Sequence, residues 1–372
     1  MKVGFITTID TNIGDDFIRT GIINLLKSTF HDQHLEFVLV NKHFPYTVYP
    51  LWHPMRYVPH LSRRGGRRLR YLIIKLFSNS SGSKFDNCDL IIQSGAPVLW
   101  PNCQECEWNI PIWQCVVGRL YHRTPVFNIA AGSCYPWENQ IDVFTNPKEE
   151  EYAIMIGEFC RLTTTRDTLS HKLFSSANVK NTLMPCTAFF VGKHFENQQK
   201  GEYVLINYMK GAGHFDWNQN INADKWEQTL KDTIIELKRN HEVRFICHDN
   251  KEVELAKKLD ATLKIHYPLT VPEYLECIQY AKLGINNRMH ASVAMGSMGV
   301  PAISICTDTR LLMLENIGMP IFYVKDLEAS ELINTSNKLI AGFDAERKRL
   351  FDLKTEKFGM YKEIIEKFAT KN

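Results

Sequence analysis

INNRMHASVAMGSMGVPAISICTDTR, residues 285–310, decides how the whole chain is read. It runs apolar strand, turn, helix, Gly-Val-Pro, second strand, then a polar Asp308-Thr-Arg310 that opens another helix. That is the order of a strand-helix-strand unit in a parallel sheet, where ligands bind beyond the carboxyl ends of the strands. A helix starting near Met289 puts His290 and open backbone amides at a helix N-terminus, which attracts anions. Arg288 adds a planar cation suited to carboxylate or phosphate. The alternative is that Arg288 and His290 only cap the helix and pair locally.

The same alternation extends in both directions. In the second half, strands are expected at 203–207, 243–247, 283–286 and 302–306, with helices within 217–240 and at 251–259, 271–281, 290–298 and 311–317. In the first half, strands are expected at 2–7, 35–40, 89–93, 125–130 and 162–165. Helices are expected at 167–174 and 15–28, the latter with Phe17, Ile18, Ile22, Leu25 and Leu26 on one face. The polar stretch FENQQKGEY, 195–203, reads as a linker. Two α/β domains follow, 1–197 and 198–344, with a helical tail, 345–372, packing back on the first. A length of 372 residues suits two domains of ordinary size.

Net charge is only +3, from 44 Lys and Arg against 41 Asp and Glu, too little to mark a nucleic-acid binder, so any anion site must be local. The opening MKVGFITTID reads as a first strand and not a signal peptide, and no apolar run approaches the roughly 20 residues of a membrane span. A cytoplasmic location is expected. Ten cysteines form no disulfide framework; Cys103, Cys106 and Cys115 are the one local cluster, and it lacks the second pair a metal site needs, so no metal is expected.

The pattern dissolves from 42 to 83 into an insertion with Phe44, Tyr46, Tyr49, Trp52 and Tyr57, followed by RRGGRRLRYLIIKLF, 63–77. Arg63, Arg64, Arg67, Arg68 and Arg70 read as a solvated basic loop feeding a short helix. The sharper reading is a peripheral contact with anionic lipid, or a phosphate-bearing acceptor, at the inner membrane face.

Asn12-Ile-Gly14-Asp15-Asp16 after the first strand, Thr165-Arg166-Asp167 with Ser170, and Arg288-Met-His290 followed by Gly299-Val-Pro301 and Asp308-Thr-Arg310 together resemble the polysaccharide pyruvyl transferase family, in order and spacing, over about nine tenths of the chain. The resemblance implies two Rossmann-like domains facing a cleft in the glycosyltransferase B-type architecture, acceptor side first and donor side second. It implies phosphoenolpyruvate as donor substrate, no further cofactor, and as acceptor a sugar hydroxyl pair of a surface polysaccharide or its lipid-linked precursor. The product is a pyruvate ketal. Arg288 and His290 match the family's donor-binding and catalytic pair, and Arg310 stands where the family commonly has lysine.

In that chemistry His290 protonates the donor methylene while Arg288 and Arg310 hold carboxylate and phosphate. Arg166 would reach the phosphate or pair with Asp167. Asp15 or Asp16 would take the acceptor proton, or Asp15 would serve the helix start. Asn12, Asp16, Ser94 and Gly95 are placed on the acceptor side. Lys210 and His214 follow the first strand of the second domain, where Gly211, Ala212 and Gly213 let backbone approach a ligand. His248 and Asp249 end another strand. Where the family carries a glycine triplet this chain has Gln93-Ser94-Gly95-Ala96-Pro97, and a later glycine-rich turn is Ala130-Ala131-Gly132-Ser133. Two alternatives stand beside this reading. One is a sugar-nucleotide-dependent glycosyltransferase of the same architecture, with Asp308 as the acid for the ribose; the other is a non-catalytic glycan-binding relative.

Overall fold

The computed structural model describes residues 1–9, 12–62, 66–192, 201–213 and 217–369. His214, Arg63 and Arg64 lie outside the described residues, as does the expected boundary at 197/198. The first sheet holds β1 (Lys2–Thr7), β2 (Glu36–Asn41), β3 (Leu90–Ser94), β4 (Pro97–Leu99), β5 (Val126–Ser133), β6 (Leu162–Thr165) and β7 (Thr182–Leu183). Its order is β2-β1-β3-β5-β6-β7, with β4 alongside the end of β5, and every pairing is parallel. The second holds β8 (Tyr203–Asn207), β9 (Glu242–Ile246), β10 (Lys264–His266), β11 (Ala281–Asn286), β12 (Ala302–Cys306) and β13 (Ile321–Tyr323), in parallel order β10-β9-β8-β11-β12-β13. Strand order reverses beside β1 in one sheet and β8 in the other, and such reversals open ligand crevices at the carboxyl ends.

The central strands are apolar runs because helices cover both faces. In the first domain these are α1 (Ile13–Thr29), α2 (Val58–Ser62), α3 (Arg67–Phe77), α4 (Gly118–Leu120), α5 (Pro147–Phe159) and α6 (Thr168–Ser176). The second supplies α7 (Ala223–Leu237), α8 (Asn250–Leu259), α9 (Val271–Ile278), α10 (Met289–Ser297) and α11 (Ala329–Ala341), followed by the 27-residue α12 (Phe343–Ala369). Side chains cap half of these starts, among them Asn12 for α1, Asp167 for α6, and a Thr270/Glu273 capping box for α9.

One apolar core crosses between the domains. It joins Phe5 and Phe17 of the first to Met289, Val293 and Met295 of the second, and to Leu350, Tyr361 and Ile365 of α12. α12 packs against both α1 and α10, so the tail clamps the two domains together and does not return to the first alone. A polar seam adds to this at the end of β5, where Thr309 N donates to Tyr135 O and Trp137 N to Thr307 O.

Several elements differ from expectation. The helix expected at 311–317 is a 3-10 helix, Thr309–Ile317. Leu311, Leu314 and Ile317 recur at three-residue spacing, which a 3-10 turn stacks along one edge. The stretch Asn109–Val117 is a wide π-helix, and β4, β7, β10, β13, α5 and α11 had no counterpart in the sequence reading.

Candidate active site

The carboxyl edges of the sheets face each other over a narrow cleft lined by Asn12, Met209, His248, Asn287, Arg288, Met289, His290, Arg310 and Met313. It encloses about 20 Å³. Asn12 follows β1, Met209 follows β8, Asn287 and Arg288 follow β11, and Arg310 follows β12, so each arrives from a strand end. No side chain caps α10, and His290 occupies its first turn. Gly14 in the first turn of α1 permits the approach of the domains: a Cβ there would lie 2.9 Å from His290 Nδ1.

Arg166, fully buried after β6, reaches across from the first domain, its Nη1 3.1 Å from His290 Nε2. An arginine N–H always donates, so Nε2 accepts and the imidazole proton belongs on Nδ1. Burial, then Arg166, Arg310, His248 and Arg288, hold the His290 pKa well below its ordinary value. Arg166 has no ion-pair partner among the described residues, and its Nε and Nη2 make no hydrogen bond. That edge lies over Gly132, where a Cβ would come within 2.3 Å of Nε.

The other two arginines are matched by acids. Arg288 Nε donates to Glu252 Oε1 at 2.7 Å and Nη2 to Asp249 Oδ2 at 2.9 Å, so the local pairing weighed for Arg288 is present. Burial pushes the Glu252 carboxyl up against the pull of Arg288. Arg310 grips buried Asp308 through Nε at 2.7 Å and Nη2 at 2.6 Å. Asp308 also accepts from the Arg310 backbone N–H, so it is committed to this pair and not presented to a ribose. His248 is pushed down to about 3 by burial and Arg288; its Nε2 meets Tyr274 Oη at 3.0 Å while Nδ1 is unpartnered.

Asp15 is half-buried in the first turn of α1, with no hydrogen bond to its carboxylate among the described residues. Asp16 pairs with Arg19 instead. The sequence reading missed Lys42, a buried cation one residue beyond β2, which sits 5.3 Å from the Trp108 ring centroid. Burial lowers its pKa, with Asp15 acting to raise it and Arg166 to lower it further. The signal was its position directly after a strand beside β1.

Ser94 and Gly95 are buried structural residues: Ser94 Oγ donates to Thr7 Oγ1 at 2.9 Å, and a Cβ on Gly95 would meet Ala130 O at 2.8 Å. Lys210 is exposed and does not line the cleft. Cys103 and Cys115 are buried, and Cys106 Sγ meets Tyr152 Oη at 3.4 Å. Burial pushes their thiols up to about 12, 11 and 11 for Cys103, Cys106 and Cys115. Among the described residues no cluster of three His, Cys, Asp or Glu is arranged to hold a metal ion.

Solved structures share the architecture. The UDP-GlcNAc 2-epimerase from Neisseria meningitidis bound to UDP-GlcNAc superposes with a TM-score of 0.54 at 11% identity over 100% of both chains. An S. aureus MnaA–UDP structure gives 0.52 at 12% over 94% of this chain and 90% of that one. The UDP-GlcNAc 2-epimerase from Methanocaldococcus jannaschii gives 0.52 at 10% over 91% and 93%. At such identities the likeness is one of fold, the glycosyltransferase B-type pair of Rossmann-like domains. No curated protein matches the sequence. The family model described as polysaccharide pyruvyl transferase matches residues 12–308, from the Asn12 that caps α1 to the Asp308 that holds Arg310, and the chain belongs to that family.

Proposed function

We propose that the protein transfers a pyruvyl group from phosphoenolpyruvate to a sugar of a surface polysaccharide or its lipid-linked precursor, forming a ketal at the cytoplasmic side of the membrane. The observation that carries this is Arg166: a buried guanidinium without a carboxylate partner among the described residues, pressed on a neutral histidine at the uncapped start of α10. An unmatched buried charge is costly, and an anionic ligand offsets that cost.

Phosphoenolpyruvate brings carboxylate and phosphate together. As its phosphate engages Arg166, Nη1 leaves His290 Nε2, and the added negative charge raises the histidine's affinity for a proton. The imidazolium then delivers that proton to the donor methylene carbon. The resulting oxocarbenium-like centre is attacked by an acceptor hydroxyl, whose proton passes to Asp15. Phosphate departs with its bonding pair, a new oxocarbenium-like centre forms, and the second hydroxyl closes the ketal as its proton passes to His290, left neutral by the first step. Arg310, held by Asp308, and Arg288, held by Asp249 and Glu252, present guanidinium groups fixed in place by their acid partners around these steps.

A sugar-nucleotide donor would need a carboxylate for its ribose, and the residue suited to that, Asp308, is already bonded to Arg310. Calorimetric titration separates the two readings. Saturable binding of phosphoenolpyruvate, not displaced by UDP-GlcNAc, is expected; binding of UDP-GlcNAc alone would replace this reading.

A further inference from the structure

The insertion between β2 and β3 carries a charge pattern unlike the rest of the chain. From residue 42 to residue 85 there are nine Lys and Arg and no Asp or Glu, which leaves 35 basic against 41 acidic residues elsewhere. A chain that is acidic over most of its length thus presents one cationic segment, and such a segment is drawn to an anionic surface.

That segment also exposes apolar side chains. Of the fifteen large hydrophobic residues exposed among the described ones, eight lie between 44 and 76. On α3 the inner side, Ile73, Ile74 and Phe77, packs on the first domain's core, yet no residue of the helix is fully buried. On the outer side Leu69, Leu72 and Leu76, at i, i+3 and i+7, form a strip 48%, 48% and 64% exposed, flanked by exposed Arg68 and Lys75. Trp52, 71% exposed, neighbours this helix through His53, whose ring meets Phe77 at 6.1 Å. An apolar strip edged by cations suits the boundary between acyl chains and anionic headgroups. Nucleic acid would answer the charge and leave the leucines in water.

A cavity of about 740 Å³ opens beside α3, lined in part by Arg70 of that helix, His60 of α2, Tyr46 and His43. Its lining includes His43 and Cys106; His43 follows Lys42 in sequence, and both side chains meet the Trp108 ring, the imidazole at 6.2 Å between centres and the Lys42 ammonium at 5.3 Å from the ring centroid. We propose that the described residues of the segment 42–85 form a platform lying on an anionic lipid bilayer, with the Leu69/Leu72/Leu76 strip inserted, so that this cavity receives a saccharide still attached to its membrane lipid. The second half of that statement rests on the transfer reading; the lipid contact does not.

Flotation with phosphatidylcholine vesicles, with and without phosphatidylglycerol, tests the contact. The full-length protein is expected to float with the anionic vesicles and not with the neutral ones. Leu72→Glu/Leu76→Glu and Arg68→Glu/Lys75→Glu, all at exposed positions, are expected to keep the wild-type melting temperature and lose binding by about tenfold or more. Wild-type protein left unbound by both vesicles would overturn the proposal. So would undiminished binding of the leucine variant, which would reduce the patch to a general polyanion attractant of the kind a nucleic acid meets. Vesicle binding by a protein that takes no phosphoenolpyruvate would leave the platform standing and remove the donor assignment instead.

Discussion

Arg166 Nη1 and His290 Nε2 lie 3.1 Å apart, the arginine just beyond β6 of the first domain and the histidine in the first turn of α10 of the second. The contact ties the protonation state of the proposed acid to the position of the opposite domain's cation. While Arg166 donates to it, His290 is neutral; when an anion draws Arg166 away, Nε2 is open to a proton.

Arg166→Met tests the strain in that arrangement. The substitution keeps an unbranched stem as far as the Nε position and removes a buried charge whose Nε and Nη2 are unsatisfied, so stability is expected to rise by about 1–3 kcal/mol. Phosphoenolpyruvate affinity is expected to fall by about a hundredfold, the worth of charge-assisted bonds in a desolvated site. Denaturant unfolding and calorimetry on the same sample check both; a variant that loses stability and keeps affinity would make Arg166 a structural residue only.

Gly14→Ala probes the meeting of α1 and α10. Its Cβ would fall 2.9 Å from His290 Nδ1, where the ring must yield because the helix backbone does not. Transfer is expected to drop by about tenfold to a hundredfold through misplacement of the ring, with little change in melting temperature. Unchanged activity would show that the ring has room to shift.

Lys354 of α12 holds the domains by donating to Gly192 O at 2.5 Å and Ser297 O at 2.8 Å, and burial pushes it down to about 7. Lys354→Met leaves two carbonyls without their donor, and a loss of about 1–3 kcal/mol is expected. The pH dependence has a definite sign. Between about 7 and the ordinary 10.5 the unfolded chain binds this proton and the folded one does not. Wild-type stability relative to Lys354→Met should therefore rise with pH across that window. A difference that falls with pH would mean the ammonium stays charged in place.

Ala130 sits at φ +53° in the bulged part of β5, a left-handed conformation that favours glycine. Strain of about 1–2 kcal/mol outweighs the burial of one methyl at about 0.8 kcal/mol, so Ala130→Gly is expected to stabilise by about 0.2–1.2 kcal/mol in urea unfolding. A destabilised variant would show that the methyl's packing dominates.

The sheets were legible because their strands are continuous apolar runs between amphipathic helices, and because residues 285–310 carry two strands and the helix between them without interruption. β10 and β13 escaped because they are edge strands of three residues, too short to show a period, and the π-helix escaped because no period marks it. His290, Arg288, Arg310 and Asn12 could be placed together because each follows a strand. The pairing that distinguishes them could not. That Arg288 and Arg310 are neutralised by Asp249, Glu252 and Asp308 while Arg166 is not depends on side-chain directions across a domain boundary. Lys42 was hidden for a related reason: it belongs to the insertion by sequence, yet it is buried and feels the charges of Asp15 and Arg166.

The most direct test of the account is the count of protons taken up when phosphoenolpyruvate binds. Titrations of wild type and His290→Asn, run slightly above neutral pH in two buffers of different ionisation enthalpy, give that count. Wild type is expected to take up about one proton more per donor bound than His290→Asn, with its affinity falling as pH rises. Equal proton counts in the two proteins, or no binding of phosphoenolpyruvate to the folded wild type, would contradict the exchange of Arg166 for a proton at His290 on which the proposed chemistry depends.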